Sequence, residues 1–363
     1  MALPFALFNL PKCDVIAIVS DEQAYIAEFI HHYLYLKFNN IFLGVNNSSD
    51  KTVKVIKKIA KDRENIFLIN TDKSHKIGQQ VQSYQQLFDT AKQVSDSDFA
   101  LFVDVDEFWI ADPFPRTVSD FLKGKQDYDC ISFQWILCWN ETPFSPPLSN
   151  PLNSASRHVK SMISYKTSPH CIRPHAPIYS SEYLVKSLLN GHKNINQLNT
   201  KHGTEILQKI NCEKLIVFGE RNHAWIFHRI QRSELEYVHR LFKPHANDLS
   251  VAPIFKDNRN GFLNPKPTRN IGRFCEQLLP ANRVLDYHLS LNRFIKKNRI
   301  RGLINRATFQ MSEHSLWHRL MKINNDKLRK NSSLIEKIFQ GTRFHDWITN
   351  AANKANRDII DRY

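Results

Sequence analysis

Apolar and polar positions alternate between two rhythms along the first 110 residues. Val15 to Val19 (VIAIV) is a short unbroken apolar run, the mark of a strand buried on both faces. Ile26, Phe29, Ile30, Tyr33 and Leu34 then recur at helical spacing, and Ile41 to Val45 (IFLGV) predicts a second strand. After the polar segment Asn46 to Asp50, Val53, Ile56, Ile59 and Ala60 mark one face of a helix, and Ile66 to Ile69 a third strand. Val81, Tyr84, Leu87, Phe88 and Ala91 predict a further helix, followed by a strand over Phe99 to Val103. Strands and helices joined by short connections predict an α/β fold, a largely parallel sheet flanked by helices, with ligands expected where the strands end.

Beyond residue 110 the rhythm changes. Ile131 to Trp139 (ISFQWILCW) predicts a longer strand with Ile131, Phe133, Trp135, Leu137 and Trp139 on one face. Residues 140–158, rich in Pro, Ser and Asn, read as a long loop, 160–230 as short β pieces, and 231–242 as a helix. From about 280 the pattern is helical again. The expected organisation is one domain over 1–245, with halves 13–110 and 111–245, a linker over 246–279, and a helical region over 280–363.

Charge sharpens that division. The 363 residues carry 50 Lys and Arg against 35 Asp and Glu, and residues 264–363 hold 20 of the basic and 8 of the acidic ones, a net of +12 that leaves +3 for the rest. A near-neutral working domain followed by a basic helical region is the expected arrangement, the basic part meeting something anionic. Six cysteines without a CxxC pair indicate neither zinc nor structural disulfides and fit a reducing compartment. The opening MALPFALFNL is too short and proline-broken to read as a signal peptide, and no apolar run is long enough to span a bilayer, so any membrane contact is expected to be peripheral.

The most informative string is FVDVDEFW, Phe102 to Trp109. It places Asp104 and Asp106 at the carboxyl edge of the sheet, where two carboxylates can share a hard divalent cation, Mg²⁺ or Mn²⁺, with a bound diphosphate. Such a cation stabilises the charge that develops on a nucleoside diphosphate leaving group. Acidic turns after strands are common, so position carries more of this reading than the motif itself.

In order, DVIAIVSDEQAYIAEFIHHYLYLKFNNIFLGVNNSSDKT, QVQSYQQL and FALFVDVDEFW resemble the GT-A glycosyltransferases of the family 2 type, closest to the branch with a DvDEF element. The resemblance covers about residues 13–240. It implies a GT-A fold, a transferase of hexosyl groups, a nucleotide-sugar donor that is commonly a UDP-sugar, and a divalent metal held by Asp104 and Asp106. Asn46 to Asp50 then matches the loop that holds base and ribose, although Asn46 stands where aspartate is common and Ser20-Asp21-Glu22 replaces the usual "KNE". Gln80 and Tyr84 match the "Q..aY" element near the nucleotide sugar, with core packing of Tyr84 as the alternative. Asp50 also reads as a helix N-cap, Asp21 as a base contact or a helix start, and Glu28 with His32 as a ligand contact or a buried pair fixing a helix. In RNHAWIFHRIQRS, His228 falls on the position of a histidine that completes the metal site, against the alternative of a packed histidine, and Arg229 or Arg232 is a candidate for facing the diphosphate.

The acceptor side is less legible. Inverting transfer needs a general base near the acceptor hydroxyl, and Glu182, Glu220, Glu141 and His175 are the candidates. Trp135, Trp139 and Phe144 are candidates for stacking on a sugar, or core. The expected function is polysaccharide or lipopolysaccharide synthesis: sugar transfer to a glycan or lipid-linked acceptor, in the cytoplasm and peripherally on the inner face of the membrane, with the basic region either attracted to anionic headgroups or a solvated helical bundle packed on the catalytic domain. A competing class is a nucleic-acid or anionic-surface binder using Arg293, Lys296, Lys297, Arg299 and Arg301. No zinc-finger or RNA-recognition motif supports it, and it leaves Asp104 and Asp106 unexplained, so no nucleic-acid partner is expected. A nucleotidyltransferase would need a Gly-rich N-terminal loop that is missing.

Overall fold

The computed structural model describes residues 10–139, 143–144, 148, 152–180, 182–191, 193–196, 223–242, 255–262 and 269–360. They fall into two compact units, one within 1–137, 147–228 and 267–304, the other within 138–146, 229–266 and 305–363.

The first unit opens with β1 (Cys13–Val19), α1 (Ile26–Tyr35), β2 (Ile41–Val45), α2 (Thr52–Ala60), β3 (Ile66–Asn70), α3 (Asp72–Val94) and β4 (Phe99–Phe102). The expected alternation is present, and the strands pair in parallel in the order β3-β2-β1-β4. β1 is the first strand of the chain yet lies inside the sheet, so the loops after β1, β2, β3 and β4 all emerge at one edge around a topological switch point. Amphipathic helices cover the sheet: α2 buries Val55, Ile56 and Ile59 while Lys54, Lys57, Lys58 and Lys61 face water. Each such aliphatic burial contributes about 1.5–3 kcal/mol. α3 is interrupted where Gly78 and Gln79 leave helical geometry, so the segment carrying Gln80 and Tyr84 has its own start.

Gly44 shows how closely sheet and helix approach. A Cβ there would lie 2.7 Å from Leu87 Cδ1 and 2.9 Å from Thr71 Cγ2. Gly44→Ala is expected to destabilise the protein by about 1–3 kcal/mol in chemical denaturation, since the packed Leu87 and Thr71 side chains must shift to admit the methyl group.

The chain continues through β5 (Glu107–Ala111), α4 (Val118–Leu122), β6 (Cys130–Trp139), β7 (Leu152–Ser164), β8 (Cys171–Ile172), β9 (Pro177–Ile178), β10 (Lys186–Leu189), β11 (Lys193–Asn196) and β12 (Ala224–Arg232). The whole sheet runs β11-β10-β6-β7-β4-β1-β2-β3, with β12 joining β5 and β6. β7 takes up residues expected to form loop: it begins at Leu152 and pairs antiparallel with β4. The polar and proline content of 140–158 masked that start. The helix expected over 231–242 is α5 (Glu234–Leu241), held at its start by a reciprocal capping box between Ser233 and Glu236.

The helices that follow are α6 (Arg269–Leu278), inside the span read as a linker, α7 (Ala281–Lys297), α8 (Arg301–Gln310), α9 (Glu313–Met321), α10 (Asn325–Lys330), α11 (Ser332–Phe339) and α12 (His345–Ile360). The second unit has its own core, in which Tyr237, Val238 and Leu241 of α5 pack with Leu316, Leu320, Ile335, Ile338, Phe339 and Ile348. Lys322, Lys327, Lys330, Lys337 and Arg343 lie exposed on the outside of that helical layer. Among the described residues no helix is long and apolar enough to cross a membrane, and Cys13, Cys130, Cys138, Cys171 and Cys275 are free thiols.

Candidate active site

Asp104 and Asp106 stand in the turn that follows β4, at the edge where the parallel strands end. Local chemistry fixes the turn: Asp104 N donates to Glu107 Oε2 at 2.8 Å, and Glu107 N donates to Asp104 O at 3.0 Å. β5 then leaves in a new direction and pairs antiparallel with β12, in register His228 opposite Glu107. That pairing brings a residue more than 120 positions away to the carboxylate turn. His228 Nε2 lies 3.7 Å from Asp106 Oδ1, and both side chains are more than nine-tenths buried.

Asp104 and Asp106 are not equivalent. Lys160, on β7 and fully buried, places its ammonium 2.9 Å from Asp104 Oδ2 and 3.1 Å from Glu107 Oε2. The Tyr84 hydroxyl donates to Asp104 Oδ1 at 3.2 Å. Burial pushes the Asp104 carboxyl up, but the Lys160 cation overrides it and holds the group below its ordinary value. Burial likewise acts to discharge Lys160, and Asp104 with Glu107 reverses that, so the ammonium stays charged. Glu107 is driven well above the ordinary carboxyl value by burial, with Lys160 opposing and the two aspartates adding. Its Oε1 is buried without a hydrogen-bond partner.

Asp106 and His228 offer a hard oxygen and an imidazole nitrogen, a donor set that suits Mn²⁺ or Mg²⁺. Among the described residues no group of three or more His, Cys, Asp or Glu side chains is placed to hold a metal ion. An open two-residue site leaves positions for diphosphate oxygens, so the residues present fit a cation that arrives with its ligand.

The loops after β1 and β2 are stapled together. Asp21, at φ 53°, accepts through Oδ1 from Ser49 N at 2.7 Å and Asp50 N at 3.1 Å, and its own N–H donates to Ser48 Oγ at 3.1 Å. Asp50 accepts from Gln23 N at 3.0 Å and Thr52 N at 2.8 Å, one residue before the N-cap of α2, which is Lys51 and not Asp50. These carboxylates shape the loop. Asn46, immediately after β2, is buried with its Oδ1 lacking a hydrogen-bond partner, which leaves an acceptor available at the edge. Gln80 is exposed at the restart of α3, whereas Tyr84 is fully buried against Phe102 and reaches the site only through its hydroxyl.

Next to the carboxylate turn lies a ring cluster. Trp135 on β6 stacks on His158 with centroids 4.8 Å apart and meets His175 at 5.2 Å and His228 at 4.2 Å. His175 Nδ1 is 3.1 Å from the Val159 carbonyl, so Nδ1 carries the proton and Nε2 keeps its lone pair. Burial, then the Lys160 cation, pushes this imidazole down to about 4.

Other expectations fall elsewhere. Glu182 is exposed in the turn before β10, and among the described residues no hydrogen bond or ion pair joins it to this cluster. Glu220, Glu141 and Arg221 lie outside the described residues. Arg229 and Arg232 are buried, and their charges outweigh burial to hold the Glu236 carboxyl below its ordinary value. His32 is buried, its Nε2 lies 2.8 Å from the Trp109 carbonyl, and burial lowers its value to about 3. Sequence reasoning missed Lys160 and left Glu107 without a role. The one available signal was a lone lysine inside the apolar strand pattern VKSMIS.

Residues 16–217, more than half of the chain, match the model of glycosyltransferase family 92. The chain belongs to that family and is a glycosyltransferase. No curated protein matches it in sequence. Among solved structures it is similar to residues 1–349 of TarS from S. aureus in complex with UDP, at 10% identity and TM-score 0.32, over 96% of this chain and 88% of that one. It is also similar to HddC from Yersinia pseudotuberculosis, at 10% identity and TM-score 0.30, over 56% and 99% of the two chains. Glucosyl-3-phosphoglycerate synthase from Mycobacterium tuberculosis, in complex with Mn²⁺, UDP and phosphoglyceric acid, matches at 12% identity and TM-score 0.27, over 52% and 71%. At such scores the family match alone carries the identification.

Proposed function

We propose that this glycosyltransferase moves a hexosyl group from a nucleotide sugar, foremost a UDP-sugar, to a hydroxyl of a glycan or lipid-linked acceptor, with inversion. The observation that carries this reading is the meeting of Asp104, Asp106 and His228 with the loops after β1 and β2 at one sheet edge. Asp106 and His228, beside Asp104, would hold Mn²⁺ or Mg²⁺, which when bound would supply Lewis-acid stabilisation of the diphosphate leaving group. Lys160 and Tyr84 keep Asp104 ionised and aimed at the donor. Asn46 and the Ser48–Asp50 loop receive the nucleoside, and Gln80 approaches the donor from the start of its helix segment. His175 Nε2 takes the proton of the acceptor hydroxyl; the hydroxyl oxygen bonds to the anomeric carbon as the bond to the diphosphate breaks and its electron pair leaves with the phosphate. Trp135 forms the apolar floor beside that reaction. The enzyme works in the cytoplasm, peripherally at the inner face of the membrane.

The decisive experiment incubates the protein and Mn²⁺ with a panel of nucleotide sugars and measures nucleoside diphosphate release. Release from none of them, with tight binding of nucleic acid, would sink the reading. A second expectation concerns the base. His175→Gln should lower kcat by about a hundredfold, with little change in donor KM. Because burial holds His175 near 4 rather than 6.5, its imidazole is neutral across the neutral range, and the acid limb of kcat/KM attributed to it should lie near that lower value. An acid limb at the ordinary histidine value that persists in the variant would remove His175 from this role.

A further inference from the structure

We propose that one exposed face of the first unit, built by α7 and α2, docks on an anionic lipid surface. This rests on the reading that the acceptor is lipid-linked. On α7, Tyr287, Leu291 and Phe294 face inward, and His31 of α1 lies 5.0 Å from the Tyr287 ring, 5.3 Å from that of Phe294, and 3.0 Å from Ser290 Oγ. The opposite side of the helix has a different chemistry. Leu285 and Leu289, 58% and 45% exposed and one turn apart, continue into the exposed Arg293, Lys296 and Lys297. From Tyr287 to Ile304 the sequence has five basic residues and no acidic one.

A second element extends the same face. Lys58 Nζ donates to the Arg299 carbonyl at 3.4 Å, and the Arg63 guanidinium donates to Asn298 Oδ1 at 3.3 Å while lying 5.2 Å from the Phe294 ring centre. The turn that ends α7 is therefore joined to α2, whose Lys51, Lys54, Lys57, Lys58 and Lys61 line one open groove with Asp50. Asp62, Glu64 and Asp286 are exposed acids bordering these basic residues in sequence. Cations flanking a pair of exposed leucines on a rigidly held helix match an interfacial contact, in which the leucines enter the headgroup boundary and the cations meet lipid phosphates. Nucleic acid would use the cations and leave the leucines without a role. The groove begins at Asp50, in the loop proposed to hold the donor, so docking this face brings that loop toward the surface where a lipid-linked acceptor resides.

The test is flotation of the protein with vesicles of phosphatidylcholine alone or mixed with phosphatidylglycerol. The protein should bind the mixed vesicles and ignore the neutral ones. Arg293→Glu with Lys296→Glu and Lys297→Glu should weaken that binding on the order of a hundredfold. Leu285→Ser with Leu289→Ser should weaken it at least about tenfold and abolish the part that survives added salt. Both variants should release nucleoside diphosphate from a soluble nucleotide sugar at the parent rate, which shows that they fold. Equal vesicle binding by parent and variants overturns the proposal, as does a parent chain that ignores the mixed vesicles but binds duplex DNA through Arg293, Lys296 and Lys297. Failure of every chain to release nucleoside diphosphate would instead strike the transferase donor reading, leaving the vesicle result to stand on its own.

Discussion

Asp106→Asn should slow nucleoside diphosphate release from the donor on the order of a thousandfold, because a Lewis-acid site contributes several kcal/mol and each 1.36 kcal/mol is tenfold in rate. The substitution keeps the side chain's volume and removes one charge. Asp106 sits in the turn after β4, 7% exposed, with His228 Nε2 at 3.7 Å, so what it loses is the oxygen charge facing the imidazole. The check is donor hydrolysis across an Mn²⁺ titration, paired with direct measurement of Mn²⁺ binding by calorimetry in the presence of nucleoside diphosphate. Turnover and Mn²⁺ dependence identical to the parent would end the assignment of Asp106. Asp104→Asn separates the two aspartates: it should also lower stability, since Asp104 is half of a pair with the buried Lys160. An equal stability for both variants would contradict that distinction.

Much of the fold, and the place in it of the candidate residues, is legible in the sequence. β1 to β4 follow from unbroken apolar runs, and a parallel sheet with its ligands at the strand ends follows from their alternation with helices. Asp104 and Asp106 were legible because an acidic pair directly after an apolar strand has to lie at that edge. His228 came from the family resemblance; no local pattern shows that β5 turns to pair with β12, a contact between distant segments. For Asp21 and Asp50 the sequence leaves a nucleotide contact and a helix start both open, and only the three-dimensional approach of the two loops shows that these carboxylates accept from loop N–H groups. Lys160 was the largest omission. A lysine within a strand ordinarily faces water, and its partners lie more than 50 residues away, in the turn after β4 and at the start of β5.

Lys160→Met should cost about 3–5 kcal/mol of stability, the usual result of removing one partner from a buried ion pair. Methionine has similar length and fills the same space, so the loss is electrostatic: Asp104 and Glu107 would face each other across a site with no cation. The pH dependence follows in sign. In the parent, Asp104 is held below its ordinary value, so its contribution is complete above that ordinary value and is lost as pH falls through the folded one. In the variant both carboxyls rise, and what stability they retain is present in acid and lost as pH increases. The gap between parent and variant is therefore widest at neutral pH and narrows on acidification through the carboxylate range, as chemical denaturation at a series of pH values would show. A gap of constant size would mean that Lys160 matters for packing, and the buried cation would lose its part in keeping Asp104 charged for the donor. If the gap closes as described, a rise in donor KM in the same variant should accompany it at neutral pH, because the aspartate that Lys160 ionises is the one that Tyr84 aims at the sheet edge.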